Sequence, residues 1–268
     1  MSTPASTPRP KATSSSPVIE VDALRIGFGT HILLDQVSFR VARGEIFVIL
    51  GGSGSGKSTL LKHIIGLYAP LAGQIRINGQ DMGHDEAEDK RREVLRNIGV
   101  MYQSGALFGS MTLLQNVCLP LEEHTQLPLA ARELIARMKL GLVGLQGFEQ
   151  HMPSQISGGM QKRAAIARAM ALDPAVLFLD EPSAGLDPIT SAELDQLILR
   201  LARTLGITFI IVTHELASIF TIADRVIMLD KETKGIVAEG NPATLRDTST
   251  HPWVRQFFNP RLGQEQHA

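Results

Sequence analysis

The sequence of 268 residues has little of what secreted and membrane-spanning proteins need. Its single cysteine, Cys118, excludes an internal disulfide and fits a reducing compartment, and we expect this residue to pack in the core. The longest apolar runs, residues 45–50 and 207–212, are far too short to cross a bilayer. Any role at a membrane is therefore expected to come through a partner chain.

An excess of charge of one sign is also missing. The 26 Lys and Arg residues nearly balance 27 Asp and Glu residues, so no basic field favours a nucleic acid partner. Residues 1–17 are rich in Ser, Thr and Pro and lack the apolar stretch of a secretory signal, which predicts a disordered N-terminal tail. With 44% hydrophobic residues, the rest of the chain can bury a substantial core.

Strand and helix patterns alternate along the chain. Residues 18–50 have the alternating or continuous apolar pattern of strands, residues 58–70 are predicted to be helical, and residues 74–82 a short strand and turn. The charged segment 84–96 is predicted to be a solvated helix with a connecting loop. Residues 127–145 show helical spacing. The apolar residues on one face of that helix are Leu134, Ile135, Met138 and Leu142.

Strand patterns return in the second half of the chain, at residues 175–180, 208–214 and 224–230. Helical patterns around residues 158–172 and 191–205 separate them. This alternation predicts an α/β fold with a mainly parallel sheet covered by helices.

A glycine-rich segment, GGSGSGKS, follows one apolar run and precedes a predicted helix. In the pattern G-x-x-x-x-G-K-S the glycines let backbone amides turn toward phosphates, and the helix start adds its positive dipole end. Lys57 would supply a charge to the terminal phosphates and Ser58 would bind magnesium. The pattern predicts a nucleoside triphosphate site. The residues predicted to contact the nucleotide here are Gly51, Gly52, Ser53, Gly54, Ser55, Gly56, Lys57, Ser58 and Thr59.

Two carboxylates end another apolar run, VLFLDE. Asp180 is placed to hold magnesium through water, and Glu181 to orient or deprotonate the attacking water. An Asp-Glu pair after a strand can also be a plain solvated loop. The upstream phosphate loop favours the catalytic interpretation.

The segment ISGGMQKRAAIARAMALDP followed by VLFLDEPSAGLDP resembles the signature and second Walker segments of ABC ATPases. It departs from the common pattern at Ile156, where leucine is usual, and at Met160, where glutamine is usual. The resemblance implies a P-loop NTPase with a mainly parallel sheet core, an N-terminal antiparallel β subdomain and a helical subdomain at about 104–170. It places the ATPase domain at 18–248 and a C-terminal tail at 249–268.

The resemblance also implies that two copies pair head to tail around ATP and Mg²⁺. Ser157, Gly158, Gly159 and Met160 of one copy would then close on the terminal phosphate held by the other. Further roles are implied for single residues, each of which could instead be an ordinary core or loop residue. Phe28 would stack on adenine, and Gln103 would sense metal and water, with Ser58 and Asp180 as the other metal-binding residues. His214 would be the switch histidine, and with Glu181 and Lys57 it completes the catalytic set. Asp187 would belong to the loop that crosses to the partner site.

Residues 101–128 and the C-terminal HPWVRQFF resemble the ATPases that serve MCE-type lipid transporters. This implies phospholipid transport between the inner and outer membranes, from the cytoplasmic face of the inner membrane. The implied partners are an integral-membrane permease, a second copy of the chain, an MCE-type periplasmic lipid-binding protein and a small cytoplasmic accessory subunit. Trp253, Phe257 and Phe258 are interpreted as an exposed aromatic cluster, through which residues 255–258 would contact a neighbouring subunit or an accessory protein.

Other functions remain open at this point. The same ATPase could serve a small-solute importer, because the catalytic residues do not distinguish the two. A non-transport ABC ATPase acting on nucleic acid is disfavoured by the near-neutral charge and the single phosphate loop. A binding module without hydrolysis is disfavoured because Lys57, Asp180, Glu181 and His214 are all present.

Overall fold

The computed structural model of the protein describes residues 16–82 and 93–259. Nearly all of the predicted N-terminal tail and most of the predicted helix at 84–96 lie outside these ranges. The strands are β1 Ile19–Phe28, β2 His31–Val41, β3 Ile46–Gly51, β4 Ala72–Ile77, β5 Gln80–Asp81, β6 Ile98–Met101, β7 Val176–Asp180, β8 Thr208–Val212, β9 Arg225–Asp230 and β10 Gly235–Gly240. The helices are α1 Lys57–Ile64, α2 Leu113–His124, α3 Leu129–Leu142, α4 Gly158–Ala169, α5 Pro188–Leu205, α6 Leu216–Ile222, α7 Pro242–Thr248 and α8 Pro252–Phe258.

A six-stranded sheet in the order β10-β9-β3-β8-β7-β6 forms the centre of the molecule. Its pairs are parallel from β9 to β6, and only the edge strand β10 runs antiparallel to its neighbour. Every residue of β3, β7 and β8 is buried, as expected for parallel strands covered on both faces. The predicted mainly parallel sheet is therefore confirmed.

Each face of this sheet belongs to a different hydrophobic core, because side chains alternate along a strand. Ile46, Val48 and Leu50 of β3 pack with helices α2 to α6. Phe47 and Ile49 pack with α1 and with a four-stranded antiparallel sheet in the order β2-β1-β4-β5. The N-terminal antiparallel sheet thus covers one face and the helices cover the other.

The helical segment between β6 and β7 contains α2, α3 and α4. Cys118 is buried in α2, as predicted. In α3 the predicted apolar face is largely exposed, with Leu134 and Met138 each 61% exposed. The helix instead buries Ala136 and Leu140 against α2 and α4. The periodicity predicted the helix but not the side on which it packs.

Helix α1 is shorter than predicted. It begins at Lys57 and ends at Ile64, where the prediction extended to residue 70. Gly66, in the left-handed region with φ 74°, follows the end of the helix. Its amide donates to the carbonyl of His63, which is a glycine-terminated helix end.

Within the predicted C-terminal tail, residues Pro252–Phe258 form helix α8, which packs on the core. Val254 and Phe258 of α8 are buried in the core shared with α2 to α6, and Trp253 and Phe257 are half-buried against it. The interpretation of these aromatic residues as an exposed cluster was wrong. In the described parts of the chain, no helix combines the length and apolarity required to span a bilayer.

Candidate functional site

Four neighbouring strands, β3, β8, β7 and β6, bring the predicted site residues to one edge of the sheet. They are parallel, so their carboxyl ends lie side by side. The register pairs Asp180 with Val212 and Leu179 with Met101. The phosphate loop therefore follows β3, His214 follows β8, Glu181 follows β7 and Gln103 follows β6.

The phosphate loop connects β3 to α1 in a conformation that depends on glycine. Gly54 and Gly56 have φ values of 77° and 90°, which favour residues without a Cβ. A Cβ on Gly51 would lie 2.3 Å from Oγ of Ser55 and 2.7 Å from the carbonyl oxygen of Leu229. The loop thus packs tightly on its inner side. Gly52, Ser53 and Gly54 are exposed.

Lys57 is folded into this loop. Its Nζ donates to the carbonyl oxygens of Gly51 and Gly52 at 2.8 and 2.9 Å. Burial lowers the pKa of Lys57, and the carboxylates of Glu181 and Asp180 oppose that change. The ammonium therefore lies between the loop and the two acidic residues.

Ser58 and Asp180 form a pair of hard oxygen donors. Ser58 Oγ donates to Asp180 Oδ1 at 3.1 Å, and Asp180 is only 8% exposed. Burial raises the pKa of Asp180, and the bond from Ser58 opposes that change. Magnesium in triphosphate sites takes one or two protein oxygens plus phosphate and water, so this pair fits it. No group of three or more His, Cys, Asp or Glu suited to a metal occurs within the described ranges.

Glu181 has an unusual backbone and an unusual environment. Its φ is 48°, a left-handed conformation that costs free energy for a residue with a side chain. Its amide donates to the carbonyl of Val212 at 2.8 Å, and its Oε1 lies 2.8 Å from Nδ1 of His214. The second oxygen, Oε2, is buried without a hydrogen-bond partner among the described residues. This oxygen therefore keeps an unused capacity to accept a hydrogen bond.

Gln103 lies two residues beyond the end of β6, and its side chain is exposed. Burial, and then the charge of Asp180, raise the pKa of the preceding residue, Tyr102. The segment that carries Gln103 is therefore near the end of β7. The structure thus brings Gln103 to the same edge as Asp180 and Glu181.

The SGG segment lies on a different element, at the N-terminus of α4. Ser157 is the N-cap, with its Oγ accepting from the amide of Met160 at 3.3 Å, and both Ser157 and Gly158 are exposed. A Cβ on Gly159 would lie 2.4 Å from Cγ2 of Thr190, whereas a Cβ on Gly158 would meet only Leu186 at 3.7 Å. Glycine at 159 therefore allows α4 to approach α5.

Asp187 caps a helix of its own chain. It is the N-cap of α5 and accepts from the amides of Ile189 and Thr190 at 3.0 and 3.1 Å. Hydrogen bonds from Thr190 hold the pKa of Asp187 below its usual value. Its side chain is exposed next to the SGG segment, so capping does not remove it from the surface.

Phe28 ends β1 and is 54% exposed. Its ring meets the edge of Tyr68, with centroids 5.8 Å apart and planes at 83°. Tyr68 was missed by the sequence patterns, because an aromatic residue after a helix has no distinctive spacing. The two rings make an open aromatic surface that a base could contact.

Three other residues near the site were missed. Trp253 of α8 lies beside the phosphate loop, since a Cβ on Gly52 would be 3.9 Å from its Cζ2. Lys162 and Arg168 of α4 donate to main-chain carbonyls of the segment that carries Gln103. The only sequence signal for these cations is their position in an alanine-rich helix, where a buried positive charge needs a partner.

These features define a class of protein, an ATPase with a phosphate loop followed by a second helix N-terminus that presents glycines. Residues 34–184 match the family model described as ABC transporter. The chain belongs to the ABC transporter family, as one of its ATP-hydrolysing subunits.

Two relatives make the comparison more specific. The chain is 43% identical over 243 residues to the "Probable ribonucleotide transport ATP-binding protein mkl" of Mycobacterium tuberculosis, covering 91% of this chain and 67% of that protein. It is 41% identical over 242 residues to the "Intermembrane phospholipid transport system ATP-binding protein MlaF" of Escherichia coli, covering 89% of this chain and 88% of that protein.

Solved structures show the same fold. The ATP-binding cassette MJ0796, a dimer bound to ADP and Pi in a post-hydrolysis state, is similar with a TM-score of 0.73 and 32% identity, covering 83% of this chain and 98% of that one. The cbiO1 protein of Clostridium perfringens, part of an ABC transporter complex, is similar with a TM-score of 0.79 and 28% identity, covering 95% of this chain and 100% of that one.

Proposed function

We propose that this chain powers phospholipid transport between the inner and outer membranes, as the ATPase of an MCE-type permease complex. The observation that supports this most is the 41% identity to MlaF across nearly the whole of both chains. The segment 101–128, which follows β6 and includes α2, adds to it. A small-solute transporter is the second candidate, because the mycobacterial relative is named for ribonucleotide transport.

The residues at the sheet edge have separate roles in this proposal. Backbone amides of residues 52–59 and the ammonium of Lys57 bind the phosphates. Glu181 accepts the proton of the attacking water through Oε2, its buried oxygen without a partner. His214 holds the other oxygen of Glu181 and so orients it.

Ser58, Asp180 and Gln103 would hold magnesium, which neutralises charge on the phosphates when bound. Ser58 and Asp180 already share a hydrogen bond, so the two oxygens are positioned together. Phe28, with Tyr68 at its edge, provides a surface for adenine.

A second copy of the chain completes the site in this proposal. Ser157 and Gly158 are exposed at the N-terminus of α4, where an anion is favoured, and Gly159 and Met160 follow them in the first turn. Asp187 lies in the adjoining loop. Dimeric structures of a 32% identical cassette support this arrangement. The pair would sit under an integral-membrane permease, at the cytoplasmic face of the inner membrane, with an MCE-type lipid-binding protein and a small accessory subunit as further partners.

The test is purification of the full-length chain from membranes of its own host in mild detergent. We expect a permease to copurify with bound phospholipid, and added phospholipid to stimulate phosphate release. The matched control is the complex with Lys57→Ala, which should keep the same subunits and lipid but lose about 10²-fold or more of the phosphate release.

A complex that instead contains a soluble solute-binding protein, and responds to a polar solute but not to phospholipid, would support the importer and exclude the lipid assignment. Hydrolysis unaffected by Lys57→Ala would exclude the proposed ATPase site itself.

A further inference from the structure

The segment that carries Gln103 has a strained backbone. We define the Gln103 loop as residues 102–108, between β6 and the approach to α2. Two successive residues in it are left-handed, Gly105 with φ 72° and Ala106 with φ 48°. The second conformation costs free energy for alanine, so it persists only where surrounding contacts enforce it. The contacts that enforce it come from α4.

Lys162 makes the first of these contacts. It lies in the second turn of α4 and is only 8% exposed, and its Nζ donates to the main-chain oxygen of Gln103. Burial lowers the pKa of Lys162, and the carboxylates of Asp180 and Glu181 oppose that change, so the ammonium is within electrostatic reach of both. A buried cation in this position joins the Gln103 loop to α4.

Arg168, two turns further along α4, makes the second contact. Its guanidinium donates to the carbonyl oxygens of Ala106 at 2.7 Å and Gly105 at 3.1 Å. Its Cζ lies 5.9 Å from the centre of the Phe108 ring. Two carbonyls held by one planar group fix the direction of the peptide between them, which is the strained one.

The main chain of the loop also lies directly on α4. A Cβ on Gly105 would be 3.5 Å from Cβ of Ala165. At the far end, the fully buried Asn116 of α2 accepts from the amide of Phe108 at 2.8 Å and donates to its carbonyl at 3.1 Å. The loop is thus held at both ends and has little freedom to move independently of α4.

We propose that Lys162 is a positioning residue for Gln103: together with Arg168 it fixes the Gln103 loop to α4, so that Gln103 and Ser157 move as one body. This inference rests on the proposed function, in which Gln103 serves the nucleotide of its own chain and Ser157 serves the partner's nucleotide. The two are linked by the first five residues of α4, from Gly158 to Lys162, and by the buried ammonium of Lys162.

The experiment compares Lys162→Met with Lys162→Arg in the detergent-solubilised complex described above. Methionine keeps the apolar stem and removes the donor, whereas arginine keeps a buried cationic donor. We expect Lys162→Met to lower kcat about 10-fold and to raise the half-saturating Mg²⁺ concentration several-fold, with ATP affinity within about twofold of the wild type. Lys162→Arg should restore kcat to within about threefold.

Lys139→Met is the matched control. Lys139 is also 8% exposed, lies on α3 and pairs with Asp173, away from the sheet edge. It should leave the half-saturating Mg²⁺ concentration unchanged even if it lowers the melting temperature. If Lys162→Met does not fold, Lys162→Leu, which also lacks a donor, is measured for the same quantities and judged in the same way.

The inference is overturned if Lys162→Met hydrolyses ATP like the wild type, or if the ATP affinity of Lys162→Met falls in proportion to kcat. It is also overturned if Lys162→Arg fails to restore turnover. Failure of the proposed function looks different. Failure of the ATPase site would leave hydrolysis unchanged in Lys57→Ala, and failure of the lipid assignment would bring a soluble solute-binding protein into the purified complex.

Discussion

At the scale of single residues, Glu181 combines three features that a solvated loop residue would not need. Its backbone is left-handed, one carboxylate oxygen contacts His214, and the other oxygen is buried without a partner. Strain of this kind persists only where neighbouring groups enforce it. Here the hydrogen bond from the Glu181 amide to the Val212 carbonyl does so. This geometry supports the proposed role of Glu181 as a general base.

Glu181→Gln should therefore keep ATP binding within a few-fold of the wild type and lower turnover by about 10²–10⁴-fold, since an amide cannot accept the proton. The measurements are equilibrium ATP binding and phosphate release under saturating MgATP. The control is Glu193→Gln, a solvated carboxylate paired with Arg163 on the surface, which should be fully active. Turnover near the wild-type rate in the Glu181 variant would contradict the assignment of the base.

At the scale of elements, α5 and α6 join the loop of Asp187 to the loop of His214. Asp195 of α5 is 5% exposed and hydrogen-bonds to Ser218 of α6. Burial, with the charge of Glu215 adding to it, raises the pKa of Asp195 to about 6, and the bond from Ser218 opposes that change. The folded state therefore binds a proton at a pH where the unfolded chain has released it.

The direction in which Asp195 changes the folding stability with pH follows from proton linkage. The unfolded carboxyl titrates near 3.8 and the folded one near 6, so the folded state loses stability relative to the unfolded chain as the pH rises between these values, and the full loss is present above about pH 6. Asp195→Asn should be more stable than the wild type at pH 7.5, by up to about 3 kcal/mol, and this difference should shrink as the pH falls toward 4.5. Urea unfolding at about pH 4.5, 6 and 7.5 measures it, because this series runs from between the two pKa values to above both.

The control is Asp22→Asn, an exposed residue of β1 that removes the same charge. Its stability difference from the wild type should not follow the trend of the Asp195 variant. A difference for Asp195→Asn that is independent of pH would contradict the prediction.

Much of the element level was predictable because short-range rules decide it. Strands β3, β7 and β8 are buried apolar runs, and the phosphate loop lies between a strand and a helix, so both followed from pattern. The end of α1 was missed although Gly66 marks it, since the apolar residues beyond the glycine continue the helical pattern.

Tertiary contacts decided the rest. Periodicity grouped Leu134 and Met138 on one face of α3, but α2 and α4 cover the other side of that helix. The partners of Lys162 and Arg168 are main-chain carbonyls about sixty residues away, and a carbonyl leaves no mark in the sequence. The burial of α8 could not be predicted from its aromatic residues alone, because it depends on packing against core residues that are distant in the sequence.

At the scale of the whole molecule, the parts of the site lie on separate elements. The phosphate loop, Asp180, Glu181 and His214 share the sheet edge, whereas Ser157 and Gly158 are exposed at the start of α4. A helix N-terminus with exposed amides is ready to bind an anion, and a second chain would provide one in its bound ATP. ATP should then act as a link between two copies.

The Glu181→Gln chain, which should not consume ATP, is expected to be a monomer without nucleotide and a dimer with MgATP, and to remain a monomer with MgADP. Only a nucleotide that binds the dimer more tightly than the monomer can shift this equilibrium, and ATP alone has the terminal phosphate that Ser157 and its amides would reach. Light scattering after gel filtration gives the mass. Adding Ser157→Arg should abolish the dimer, because a long side chain would block the start of α4, while adding Glu193→Gln should not. A monomer in all nucleotides, or a dimer that tolerates arginine at position 157, would mean that the two chains do not meet through α4.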